Sequence, residues 1–137
     1  MNLASVIQTA AAATGAVLGA FVGGFDGFLY LLLIFIATDY MTGLLKGVRQ
    51  KNLSSEIAFW GLTKKILIFI IIGIANALDV YVLGQGSVVR VAAVFFYVSA
   101  EGLSVLENIS DLGVPFPQKI KSVLSQLKEN TDKEGAK

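Results

Sequence analysis

The residues able to do chemistry in this chain sit inside or beside long apolar runs. Asp39, Thr42, Lys46 and Arg49 follow one another at spacings of three and four, so a helix carries them on one face. Tyr97, Glu101, Ser104, Asn108 and Asp111 are separated by four, three, four and three residues, a heptad seam of polar groups with Arg90 one heptad earlier. The remaining positions of that stretch, including Val91, Val98, Val105 and Ile109, are apolar and are expected to face lipid. A charged side chain at the middle of a membrane helix costs about 2.5–3.5 kcal/mol on insertion scales, so such groups are paired, wet or functional. For Asp39 this gives two readings. Its face lines an aqueous path or meets another subunit, or Asp39 is neutral or paired with Lys46 or Arg49 beside the basic loop. For the Tyr97–Asp111 seam the readings are water lining in an oligomer, or hydrogen bonds between helices with no water at all.

Three further patterns carry less chemistry. Asn76 and Asp79 lie three apart near one end of an apolar run, and Arg90 follows after a turn containing Gly84 and Gly86. An Asp79–Arg90 ion pair would close that hairpin; the alternative is that each group reaches water independently. Ala11, Gly15, Gly19 and Gly23 recur every four residues, a face on which two helix backbones could approach closely, within one subunit or between subunits. There is no phosphate loop, dinucleotide fingerprint, metal-ligand cluster or nucleophile elbow. Zero Cys and zero His remove thiolate and imidazole chemistry and most zinc and haem sites. An aspartyl dyad of Asp39 and Asp79 is disfavoured, because the two are expected toward opposite membrane faces. No enzymatic activity, cofactor or metal is expected.

These groups are carried on membrane helices. Of 137 residues, 55% are hydrophobic and 15% charged, with mean hydropathy +0.71 and net charge +1. A soluble domain carries about a quarter charged residues, and no excess charge invites nucleic acid. Apolar runs over about 28–45, 66–83 and 88–106 each approach the ~20 residues that cross a bilayer as a helix. The segment 3–22 is weakly apolar and rich in Ala and Gly. A fourth span is expected there; a surface helix and a cleaved signal are the alternatives, the latter weakened because no Lys or Arg precedes it. Lys46, Arg49, Lys51, Lys64 and Lys65 crowd the connection after the second span, which places that loop in the cytoplasm. Three spans after Gly27 then put the C-terminus inside. Ser54 is a candidate helix cap, and Phe59 and Trp60 suggest a short surface helix leading into the third span. After Gly113, Pro115 and Pro117, the residues Ile120, Val123, Leu124 and Leu127 define one apolar helix face. Residues 130–137 read as a solvated tail. The expected organisation is an all-α transmembrane region, 1–111, followed by a cytoplasmic amphipathic helix and tail, 112–137.

The stretches DYMTGLLKGVRQKNLSSEIAFWGLTKKILIFIIIGIANALD (39–79) and VFFYVSAEGLSVLENISDLGVPFPQKIKSVLSQLK (94–128) resemble the toxin secretion/phage lysis holins. The resemblance is carried by Asp39-Tyr40 with Thr42-Gly43, Leu53-Ser54-Ser55, Gly61, Lys64-Lys65, Glu101-Gly102 and Glu107-Asn108, and covers most of the chain from Tyr30 onward. It implies a multi-pass protein of the bacterial cytoplasmic membrane that forms homo-oligomers. These would open lesions for a muralytic endolysin or a large toxin during host-cell lysis. Two other readings compete. In a small proton-coupled transporter, Glu101 or Asp39 would bind proton and substrate alternately; a regulatory subunit would bind a holin without permeabilising. Topology is directly testable because the chain lacks Cys. Single Cys residues placed at Gln50 and Gly86 are expected to react with an impermeant maleimide in intact cells at Gly86 only; labelling at Gln50 would overturn the orientation.

Overall fold

The computed structural model describes residues 1–135, which form five helices and, among the described residues, no strand. Helix α1 spans Leu3–Phe21, α2 Gly27–Arg49, α3 Ser55–Ala77, α4 Val88–Asp111 and α5 Gln118–Gly135. The end of α3 widens into a π-helical turn over Leu78–Leu83. Four helices, from α1 to α4, are long and apolar enough to cross a membrane. The chain is therefore an all-α, multi-pass membrane protein.

Local sequence sets the helix starts. Asn2, Asp26 and Ser54 each accept a hydrogen bond from the backbone N–H three residues on, capping α1, α2 and α3. Ser87 precedes α4 but makes no such bond. Asp79, fully buried, supplies it from the end of α3, accepting from the N–H groups of Val89 at 3.0 Å and Arg90 at 2.8 Å. Helix α3 begins at Ser55 and runs unbroken, so the expected short surface helix is simply its first turns. The connection from α2 is only residues 50–54, and Lys64 and Lys65 lie on the helix rather than in a loop.

Leu29, Leu32 and Ile36 of α2, Ile68 and Ile72 of α3, and Val94 and Val98 of α4 form the apolar core with Val22. Their spacing of three and four is the stripe a helix buries. Helix α4 is central, packing against α2, α3 and α5. Two of the positions expected to face lipid, Val98 and Val105, are accordingly buried. Helix α1 is held only near its C-terminal end. Ala11 and Gly15 are exposed, with open space beside Gly15, whereas a Cβ at Gly19 would stand 2.8 Å from the Phe25 ring. Gly23 adopts φ +88° in the turn after α1, a conformation that glycine takes without strain. A Cβ there would stand 2.6 Å from Arg90 Nε and from the Asn76 amide oxygen. The four small residues thus divide into an open pair and a packed pair.

Helix α5 turns back along α4. Leu124 is buried over Gly102, where a Cβ would approach its Cδ1 to 2.8 Å, and Leu127 lies by Val91 and Phe95. An amphipathic helix was expected here, but separate from the spans, whereas the structure lays it against one of them. The helix also continues to Gly135, through most of the expected tail; residues 136 and 137 lie outside the described residues.

At the end of the bundle opposite the α2–α3 connection, Arg90 gathers three segments. Its guanidinium, 3% exposed, donates to Val22 O at 2.5 Å, Gly24 O at 2.9 Å and the Asp26 carboxylate at 2.7 Å. The expected Asp79–Arg90 ion pair is therefore replaced: Asp79 is spent on backbone N–H groups, and Asp26 is the partner of Arg90. The Arg90 hydrogen bond holds the Asp26 carboxyl below its ordinary range, against a smaller opposing effect of burial. Because the folded value is depressed, this contribution is complete above about pH 4 and is lost as pH falls through the lowered value. Asp26→Asn keeps the cap but removes the charge, with an expected cost of about 1 kcal/mol because the Asp26 carboxylate, though not Arg90, is half exposed. Thermal unfolding in detergent from pH 7 to 3 should show a smaller acid-induced loss in Asp26→Asn than in the parent.

A buried charge network as candidate functional site

Asp39, Lys65 and Glu101 come from three helices and lie at a common depth. Lys65 is ten residues past the start of α3, while Asp39 and Glu101 are each ten residues before the ends of α2 and α4. At 1.5 Å per residue each sits ~15 Å from the end nearest the α2–α3 connection, inside the membrane-spanning helices. The Lys65 ammonium donates to both Asp39 Oδ2 and Glu101 Oε2, forming two ion pairs on one nitrogen. Asp39 and Glu101 are 7% and 8% exposed.

The network extends along α2 and α4. Asn108 Nδ2 donates to Asp39 Oδ1 at 3.0 Å, to Asp39 O at 3.3 Å and to Thr42 Oγ1 at 3.1 Å. Thr42 in turn donates to Thr38 O at 2.8 Å. Ser104 stands beside this group on the wall of a crevice between α2 and α3, while Tyr97 packs against the apolar core. Among the described residues no buried side-chain nitrogen or oxygen lacks a hydrogen-bond partner. Satisfaction of this kind is what makes polar groups tolerable away from water.

Most of the polar groups singled out from spacing thus meet, through contacts within one subunit. The proposed partners of Asp39 change: it binds Lys65, not Lys46 or Arg49. Lys46 pairs with Asp111 at 2.6 Å, and Arg49 donates to Leu112 O at 2.5 Å, both tying the end of α2 to the end of α4. Lys51 is in the connection, and Lys64 is exposed on α3. Two participants escaped the sequence reading. By sequence Lys65 reads as a loop charge, although the cap at Ser54 already places it three turns inside a helix. Asp26, directly before an apolar run, carries the mark of a cap, but nothing local announces Arg90 across the bundle. Among the described residues no group of three or more His, Cys, Asp or Glu side chains could hold a metal ion.

Comparison with known proteins places this architecture. Residues 16–129 match the bacteriophage holin family, and the chain belongs to it. It is 39% identical over 127 residues to an uncharacterised 14.9 kDa protein of Clostridium perfringens from the nagH 3′ region, covering 92% of this chain and 96% of that one. It is 34% identical over 110 residues to a probable holin of Bacillus phage phi105, covering 80% and 81%. A Listeria innocua protein is 38% identical over 110 residues, covering 80% and 78%. No solved structure matches. The protein is thus a holin-type, multi-pass membrane protein.

Removing the cation alone leaves two carboxylates facing each other in the interior. Lys65→Met should therefore cost about 3–5 kcal/mol, while the triple variant Lys65→Met, Asp39→Asn, Glu101→Gln should recover most of it. Thermal unfolding in detergent micelles, followed by far-ultraviolet circular dichroism, checks both; equal losses in the single and triple variants would mean that charge pairing is not what the network contributes.

Proposed function

We propose that this protein accumulates in the bacterial cytoplasmic membrane, assembles into homo-oligomers and permeabilises the membrane during host-cell lysis, releasing an endolysin or a large toxin. The observation that carries this reading is the closed polar network between the spanning helices, Asp39–Lys65–Glu101 with Asn108 and Thr42. Closed within one subunit, it lets four helices insert without an open aqueous path. The same groups, parted from one another, supply the hydrophilic lining that a lesion needs. The family and the probable holin of phage phi105 support the same reading.

The α2–α3 connection and the start of α5 face the cytoplasm in this proposal, because Lys46, Arg49, Lys51 and Lys64 collect at that end. On insertion the charged face of α5 keeps that helix, and the C-terminus, at the cytoplasmic surface. Subunits associate through the open face of α1 at Ala11 and Gly15, where no side chain of the same chain intervenes at Gly15. A Cys introduced at Gly15 is expected to crosslink between copies; Gly19 is a poorer probe, since Phe25 already packs on it.

The deciding experiment is induced expression together with a cytoplasmic muralytic enzyme. Abrupt lysis that needs both proteins, with leakage of a folded reporter, is expected. Glu101→Leu leaves Lys65 paired one-to-one with Asp39, so it should insert normally yet permeabilise far less, with Glu101→Gln milder. Lysis by Glu101→Leu on the parental schedule would remove the network from the mechanism. Substrate-specific resistance without leakage would point instead to a transporter.

A further inference from the structure

Helices α2 and α3 part near their connection and leave a crevice of about 530 Å³, within the range of small-ligand sites. Gly43, Gly47 and Gly61 line it, Gly61 beside the Tyr40 ring. Lys64 stands on its wall with no acidic partner among the described residues, and Lys46 is shared only with the exposed Asp111. Leu44 and Ile57 add apolar surface beside these cations. Trp60, half exposed and one helical turn before Lys64, marks the level of a membrane interface. The crevice thus combines one unpaired ammonium, Lys64, a second shared with the exposed Asp111, apolar walls and a position near Trp60 at the interface, with Asp39 on its wall already neutralised by Lys65.

We propose that this crevice binds a phosphate-bearing anion, supplied in the membrane by the headgroup of an anionic phospholipid, with Lys64 and Lys46 on the phosphate and the acyl chains lying between α2 and α3. A basic pocket between membrane helices is the arrangement that selects such headgroups. The inference rests on the membrane-spanning architecture and on the basic end lying at headgroup level. It needs no lysis, so its failure and the failure of the lesion reading are separable.

The protein contains a single Trp, which makes it a reporter. The full chain is reconstituted in phosphatidylcholine vesicles holding a minor fraction of phosphatidylglycerol, and one lipid or the other carries brominated, quenching chains. Brominated phosphatidylglycerol is expected to quench Trp60 more strongly than brominated phosphatidylcholine at equal mole fraction. Lys64→Gln or Lys46→Gln should each reduce that preference about fivefold. Gly61→Leu, which fills the crevice without changing charge, should abolish it. The double variant Lys51→Gln, Lys119→Gln removes more charge outside the crevice and should leave the preference intact. Equal quenching by the two lipids would overturn the proposal. So would a preference that survives Gly61→Leu, or one lost equally in the outside double variant, which would reduce it to general surface charge. Loss of the preference on adding inorganic phosphate at constant ionic strength would assign the crevice to free phosphate and overturn the lipid.

Discussion

One ammonium shared by two carboxylates governs the arrangement of the spans. Lys65 lies where α2, α3 and α4 converge, and each of these helices contributes one charge to the contact. In hydrocarbon a lone ion of any of the three would be prohibitively exposed to a low dielectric, so the helices are constrained in register as well as in orientation. Sliding α3 by one turn, ~5.4 Å, would withdraw Lys65 from both carboxylates at once. The apolar core of Leu, Ile and Val side chains tolerates many registers; the charge contact tolerates few.

Two other polar clusters serve the ends of the bundle. At one end Lys46 and Arg49 bind Asp111 and the carbonyl of Leu112, fixing the last turn of α2 to that of α4. At the other, Arg90 holds the turn between α1 and α2, and Asp79 completes the start of α4. In both places a side chain answers a backbone group that helix termination leaves unpaired. Between these levels the packing is almost wholly apolar, so the helices are tied at both ends and in the middle.

The elements were legible in the sequence and their partners were not. Long apolar runs between 28 and 106, interrupted by Gly-rich turns, announce membrane helices because nothing else satisfies the backbone in a bilayer. Spacing of three and four gathers Asp39 with Thr42, and Glu101 with Asn108, onto faces that do meet. Pairing across helices depends on rotation and depth, which spacing within one helix does not contain. Hence spacing offers Asp39 only the cations of its own helix as partners, and offers Arg90 Asp79 across the turn but not Asp26. The polar seam of α4 resembles one surface, yet its members divide: Glu101 and Asn108 turn inward, the exposed Asp111 binds Lys46, and Tyr97 packs on the core.

The seat of α5 has an energetic asymmetry. Its hold on α4 comes from Leu124, closed over Gly102, and from Leu127 beside Phe95, while Lys119, Lys121, Lys128, Glu129, Asp132 and Lys133 lie along the same helix. The α4 surface beneath it, including Val91, Ala92 and Phe95, is of a kind that acyl chains cover as well as leucine does. In water or detergent-poor solution, uncovering that surface is costly, and α5 stays. In a bilayer the surface loses nothing by exchanging leucine for lipid, whereas the charges of α5 gain hydration by departing. Solvent competition alone therefore makes the attachment of α5 a readout of what surrounds α4, firm before the span is immersed and weak after it.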